Sequence, residues 1–279
     1  MHKNISEDRK LLVVSDTGII KTAKGYRAFG PVVKELEHLL EIFNEIRWIG
    51  FEKNSQKNNN SYIEIKDRRI YPILLPEVGG KSLTDKIEII LNYPKMIRVI
   101  YKEVKISKFI HSRAPSNPSV IIMVLSMIFT NKKFWHKYAG TWVDKASFFY
   151  KLQRFFLKKL YKNSNITING NFSNKSNILP FENPCLNTDD RQKGNEIVKT
   201  KRIENKVNIC FVGALNEGKG ILELLDSLKR IKSNKINSIH IVGSGKDINK
   251  YKEKAKEISY NIIFHGYKPK NEIYRIYKD

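Results

Sequence analysis

Six short apolar runs alternate with stretches of helical spacing along the first 181 residues, and this alternation limits the fold more than any other feature. LLVVSD (11–16), EIRWIGF (45–51), IYPILLP (70–76), SKFIHS (107–112), FWHKYAGTW (134–142, a strand and its loop) and NITIN (165–169) hold the strand candidates, bounded by polar or Gly/Pro turns. Between them, PVVKELEHLLEIF (31–43), the turn-and-helix EVGGKSLTDKIEIIL, the apolar 119–129 and ASFFYKLQRFFLKKLYK (146–162) carry helical periodicity. Pro31 suits a first helical turn. Strand, helix, strand with short connections predicts an α/β fold with a parallel sheet. Ligands in such sheets bind in the loops at the carboxyl ends of the strands.

The pattern lapses in ENPCLNTDDRQKGNEIVKTKRIENK, which is charged and lacks apolar periodicity. Residues 182–206 therefore read as a linker between a domain at 1–181 and a second α/β unit at 207–279. In that unit the strands are VNICFVG, SIHIVGSG (238–245) and NIIFHGY (261–267), with a helix beginning at KNEIYRIY. Three strands are few for an independent Rossmann unit. The helical pattern also runs into the last residue without a stop signal, so the expectation is a second domain that is incomplete relative to its fold.

A formal net charge of +23 points to polyanionic neighbours: nucleic acid, an anionic membrane face or phosphate-bearing substrates. The Lys-, Asn- and Ile-rich composition is also what A/T-rich codons produce, so the charge alone selects none of them. No helix-turn-helix, zinc or RNA-recognition signature accompanies it, and a basic nucleic-acid-binding protein is the least supported reading. Cys185 and Cys210 are far apart and outside any His-rich cluster, so no metal is expected. The N-terminal MHKNISEDRK lacks the apolar core of a signal peptide. The longest apolar run, VIIMVLSMIF, is about half of what a bilayer requires. A cytoplasmic location follows as the expectation.

FVGALNEGKGILELL (211–225) is a strand, a glycine-bearing loop and a helix start. Gly213 to Lys219 fits the opening of a P-loop, but Gly220 stands where a magnesium-holding Ser or Thr belongs. The later strands end in glycine, with no Asp to organise the ion. The same parts without metal form a different phosphate site, in which helix N-terminal amides and Lys219 meet a diphosphate.

The ordered series FVGALNEGKG, IHIVGSG and IIFHGYKPKNEIYRIY resembles the donor domain of retaining GT-B glycosyltransferases, the glycosyl transferases group 1 superfamily. That resemblance implies two Rossmann-like domains, a nucleotide-sugar donor, no metal or other cofactor, and retention of anomeric configuration. It implies donor-diphosphate contacts from Gly213, Lys219 and Gly220, and nucleotide contacts from Gly243, Gly245 and Tyr267. Ala214 stands where the family carries an arginine, and the family's paired glutamates lie beyond the matched helix. FIHSRAPSNP (109–118) is similar to the family's His-x-His-x-Pro strand end, with His111 in the first place and Arg113 in the second. These are the catalytic candidates. HKYAGTW and KLQRFFLKKL are similar to a polysaccharide-assembly subgroup in which arginine is usual there. Gly25 and Gly30 fall in the loop that the family sets near the acceptor.

Two further readings stay open. One is a non-catalytic remnant that binds glycan, lipid or a partner protein. The other concerns helix 147–162, where Phe149, Leu152, Phe156 and Leu160 form an apolar face among Lys151, Arg154, Lys158, Lys159 and Lys162. Such a helix either packs on the sheet with its lysines solvated or makes peripheral contact with the inner face of an anionic membrane, where a lipid-linked acceptor resides.

Overall fold

The computed structural model describes residues 9–53, 61–78, 83–143, 145–160, 163–173, 175–181, 188–202 and 205–278. The chain divides into two compact units, Met1–Cys185 and Leu186–Asp279.

The first unit is built on β1 (Lys10–Thr22), β2 (Gly25–Phe29), α1 (Gly30–Leu39), β3 (Glu45–Glu52), β4 (Tyr62–Glu64), β5 (Ile70–Pro76), α2 (Leu83–Ile106), β6 (Phe109–Ala114), α3 (Asn117–Ile128), β7 (Lys133–Tyr138), α4 (Phe148–Lys159), β8 (Ser164–Ile168) and β9 (Ile178–Pro180). The parallel ladder runs β5–β3–β1–β6–β7–β8–β9. The chain builds outward from β1 through β3 and β5, then returns to lay β6 on the other side of β1. The order of construction reverses between β1 and β6, which is where a parallel α/β sheet opens a ligand crevice.

The first strand does not stop at residue 16 as its apolar run suggests. A register shift between Val14 and Gly18 lets β1 continue to Thr22 and pair antiparallel with β2, which pairs in turn with β4. The expected glycine loop is therefore a hairpin. Gly25 sits at its turn with φ 137°, and Gly30 is the first residue of α1, its N–H donating to Ser61 O at 2.8 Å.

Period-two alternation sorts the β1 side chains between two cores. Leu11 and Val13 pack with Val32, Val33 and Leu36 of α1. Leu12 and Val14 pack with Met96, Ile100 and Val104 of α2 and with Ile121, Ile122 and Leu125 of α3. Met123 of α3 and Leu157 of α4 continue this second layer over β6, β7 and β8. One face of the sheet thus carries α1, and the other carries α2, α3 and α4 side by side.

Helix α4 is turned from the orientation its sequence suggests. Its buried residues are Gln153, Arg154 and Leu157, while Leu152 is exposed and Phe149 and Phe156 are only half-buried. The cause lies in backbone groups at the sheet's carboxyl edge. Arg154 donates to Trp142 O at 2.6 Å and Thr141 O at 3.2 Å. Gln153 Oε1 accepts from the Ser116 N–H at 3.2 Å and lies 2.8 Å from the Ser119 hydroxyl, at the N-terminus of α3. Burying those groups unpaired costs more than exposing a phenylalanine. Lys162 lies outside the described residues.

The second unit contains α5 (Thr188–Thr200), β10 (Val207–Val212), a 3-10 turn (Glu217–Lys219), α6 (Ile221–Arg230), β11 (Ile236–Val242), α7 (Ile248–Ala255), β12 (Asn261–Gly266) and α8 (Lys270–Lys278). Most of the stretch read as linker is α5, a helix with no buried residue. With Ile197 and Val198 as its only hydrophobic residues, it shows no apolar stripe, so periodicity could not reveal it. It is held to α8 by ion pairing of Asp190 with Lys270 and by a 2.8 Å hydrogen bond from the Tyr274 hydroxyl to Asp190. The parallel sheet β10–β11–β12 packs Ile239 and Ile241 against Leu225 and Leu228 of α6 and Tyr251 of α7.

Arg154→Met keeps the apolar stem of the side chain and removes the donors to two loop carbonyls. It is expected to lower stability by roughly 2–3 kcal/mol, measured by urea denaturation. An unchanged midpoint would show that packing alone orients α4.

Candidate functional site

Each unit presents its candidate residues at the carboxyl edge of its own sheet. In the first unit, the register pairs His111 with Trp135 and Arg113 with Lys137, all on the face that carries α1. Two cations on adjacent parallel strands repel unless a counter-charge lies between them. Glu35 of α1 supplies it: its Oε2 is 2.8 Å from Arg113 Nη1 and 2.9 Å from Lys137 Nζ. Glu35 and Lys137 are buried, and the Lys137 ammonium also stands 4.4 Å from the centre of the Phe181 ring. The cluster carries one net positive charge out of bulk water. Arg113, a catalytic candidate, is therefore tied into an ion pair. Sequence reading did not find Glu35 or Lys137, because Glu35 looks like one more solvated helix carboxylate.

His111 is fully buried. Its Nδ1–H donates to Trp135 O at 3.2 Å, and its ring stacks on Trp135 with centroids 3.8 Å apart. That leaves Nε2 as an acceptor lone pair with no partner among the described residues. Burial first, and then the Arg113 charge, push the imidazole pKa well below its usual value. His111 is thus a neutral hydrogen-bond acceptor near pH 7 and no source of protons. On the opposite face, buried His136 accepts or donates at Ser112 Oγ, 2.8 Å away, and burial pushes its pKa down to about 3. Asp16, beside the β1 bulge, has its carboxyl pKa raised by burial, with the Arg113 charge opposing. The α3 N-terminus that follows β6 is closed by the reciprocal Ser116–Ser119 cap and by Gln153, so its amides are not open to an anion.

In the second unit the loops after the three strands are stitched together. Gly213 N–H donates to Val242 O, Leu215 N–H to Ser244 O, and Gly243 N–H to Gly266 O, at 2.8–3.0 Å. Gly243 and Gly245 are required by this contact. A Cβ on either would stand 1.8 Å from Gly213 O or 1.9 Å from Leu215 O. Their demand is internal packing, whatever they do for a nucleotide. Gly213 is not required by packing: a Cβ there meets only the Phe211 ring, at 3.8 Å. Gly220 is needed, with φ 79°, to end the 3-10 turn and start α6. No side chain caps α6, so its first amides remain available, with exposed Lys219 immediately before them. Ala214 is exposed on the same loop. Lys246, after Gly245, is a second exposed lysine at this edge that sequence reading passed over. Neither lysine has an ion-pair partner among the described residues. Tyr267 follows β12 half-exposed.

Residues 192–279 match the family model for glycosyl transferases group 1. The likeness to that family rests on this segment, just under a third of the chain. The match contains the stitched loops, Lys219 and Tyr267. No curated protein matches the sequence. Among solved structures, the chain resembles the lipopolysaccharide outer core galactosyltransferase WaaB, at 12% identity over 95% of this chain and 70% of that one, with TM-score 0.50. It also resembles WaaG, a glycosyltransferase involved in lipopolysaccharide biosynthesis, at 10% identity over 95% and 72%, with TM-score 0.50. A third is the N-terminal domain of Candida albicans trehalose-6-phosphate phosphatase, at 11% identity over 96% and 75%, with TM-score 0.54. At these identities the likeness is one of fold. It agrees with the expected α/β, Rossmann-like GT-B class of the glycosyltransferases.

Two predictions follow from the buried groups. Glu35→Gln leaves Arg113 and Lys137 facing each other without a counter-charge, and is expected to cost about 3–5 kcal/mol in chemical denaturation. Buried His136, with a native pKa of about 3 against an ordinary 6.5, refuses a proton that the unfolded chain accepts. Its contribution to stability is complete above pH 6.5 and is lost as pH falls toward 3. The expected loss from this residue at pH 5.5 is on the order of 1 kcal/mol. Equal stability of wild type and His136→Asn across that window, after correction for their difference at pH 7.5, would contradict it.

Proposed function

We propose that the protein transfers a sugar from a nucleotide-diphosphate donor to a glycan or lipid-linked acceptor in surface polysaccharide assembly. The observation that carries this reading is the family match over a loop that ends in Lys219, Gly220 and the uncapped start of α6. The likeness of fold to WaaB and WaaG, both named for lipopolysaccharide work, supports the polysaccharide assignment.

In the reaction, the bond from the anomeric carbon to the diphosphate oxygen breaks. A bond from that carbon to an acceptor hydroxyl oxygen forms, and the hydroxyl gives up its proton. Negative charge grows on the departing diphosphate. The uncapped amides at the α6 N-terminus are fixed by the helix and favour such a charge, and the exposed Lys219 ammonium on the preceding turn adds to them. Exposed Lys246, on the loop after β11, offers a second cation. The reading carries retention of configuration and no metal requirement from the family resemblance. It places the enzyme in the cytoplasm at the inner membrane face.

The test is release of nucleoside diphosphate by the purified chain with a panel of nucleotide sugars and lipid-linked acceptors. Lys219→Ala is expected to lower kcat/KM by roughly 10²-fold with unchanged thermal stability, because the side chain is exposed. Equal kinetics would remove Lys219 from the donor site. Exposed Ala214 favours a second reading, a non-catalytic protein that retains glycan or nucleotide binding. Saturable binding with no turnover for any donor would establish that reading instead.

A further inference from the structure

The outer surface of the α2–α3–α4 layer has a composition that water does not favour. Helix α2 turns Met96, Ile100 and Val104 into the core. Its opposite side is also apolar: Ile87, Ile90, Leu91, Ile97 and Tyr101 are exposed, with Ile90 at 69% and Leu91 at 73%. On α3, which packs beside it, Val124, Met127 and Ile128 are exposed. On α4, the turn imposed by Gln153 and Arg154 points Phe148, Leu152 and Phe155 outward, Phe148 at 80%. Single exposed apolar side chains are ordinary on a protein surface. A set that runs along three neighbouring helices marks an interaction face. A helix apolar on both sides is one that is covered on both sides.

The charges on the same helices select the cover. Lys95, Arg98, Lys102 and Lys105 are exposed on α2, and Lys151, Lys158 and Lys159 on α4. Among the described exposed residues of the three helices, Glu88 is the only carboxylate. A second copy of the chain would set cations against cations. An anionic lipid surface accepts both features, taking the apolar side chains below the headgroups and the ammonium groups among the phosphates. A groove of about 500 Å³ beside the α4 stripe is lined by Trp142, Lys145, Lys151, Phe155 and Lys158. The Lys158 ammonium stands 5.4 Å from the Trp142 ring. Aromatic rings with ammonium groups at their edges are the composition of a headgroup-level belt. No helix among the described residues is long and apolar enough to cross a membrane, so the contact lies in the plane of the interface.

We propose that the outer face of α2, α3 and α4 is a docking surface for an anionic lipid bilayer. The proposal rests on the transfer reading only for the membrane-face location, and it is tested without donor or acceptor, so its failure removes that location and leaves sugar transfer itself untouched. The full chain is floated with vesicles of phosphatidylcholine containing phosphatidylglycerol, and with vesicles of phosphatidylcholine alone. Binding to the anionic vesicles is expected to be at least about tenfold tighter, and to weaken with added salt. Ile90→Ser/Leu91→Ser and, separately, Lys151→Gln/Lys158→Gln are each expected to reduce it at least about tenfold. Their melting should match the wild type, because all four side chains are exposed. Equal affinity for the two vesicle types, no binding to either, or undiminished binding by both double variants would overturn the proposal. So would a concentration-dependent dimer that Ile90→Ser/Leu91→Ser dissociates, since it would show that the face serves self-association.

Discussion

The insertion of β1 between β3 and β6 is the constraint on which the first unit depends. A central strand must bury both faces, and β1 does so with alternating Leu and Val on each side. That placement separates α1 from the α2–α3–α4 layer and reverses the order of strand construction beside β6. The reversal opens a crevice at the end of the one strand that carries His111 and Arg113. The bulge at Val14–Gly18 lets β1 run on past the crevice, and the hairpin it forms with β2 delivers the chain to Gly30 and the start of α1.

Electrostatics at that crevice are a compromise between solvation and pairing. A carboxylate shared by a guanidinium and an ammonium costs much less to bury than three separate charges. Two of the three groups are withdrawn from solvent, and the third, Arg113, keeps a little access. The neutral imidazole of His111 next to them follows from the same economy: a proton there would add a third positive charge to a buried site. In the second unit the loops solve a different problem. They approach so closely that two glycines are required, and this stitching holds Lys219 and the first amides of α6 at one edge of the sheet.

Much of this architecture is legible in the chain. The runs at 45–51, 70–76 and 165–169 became strands with nearly the expected bounds, because a fully buried parallel strand has few ways to be written other than as a short apolar run. The polar elements were not legible. Helix α5 has no apolar stripe, and β2, β4 and β9 are short edge or hairpin pieces whose pairing comes from neighbours distant in sequence. For α4, periodicity identified a helix but not its rotation. Hydrophobic spacing assumes that apolar side chains turn inward, and here the Thr141 and Trp142 carbonyls drew Arg154 inward while the Ser116 amide and Ser119 hydroxyl drew Gln153.

The sequence by itself determined the alternating α/β plan and the strand–loop–helix character of the segment around Lys219. These depend on local periodicity and on residues adjacent in the chain. The tertiary structure alone decided that Arg113 is paired, that His111 is neutral, that Gly243 and Gly245 serve packing, and which side of α4 meets the outside. Each of these depends on a partner far away in sequence: Glu35 for Arg113, Trp135 for His111, Gly213 and Leu215 for the glycines, and the loop at 141–142 for Arg154. Distance along the chain hides such partners, and folding brings their charges and backbone atoms within 3–4 Å of one another, where pairing energies become decisive.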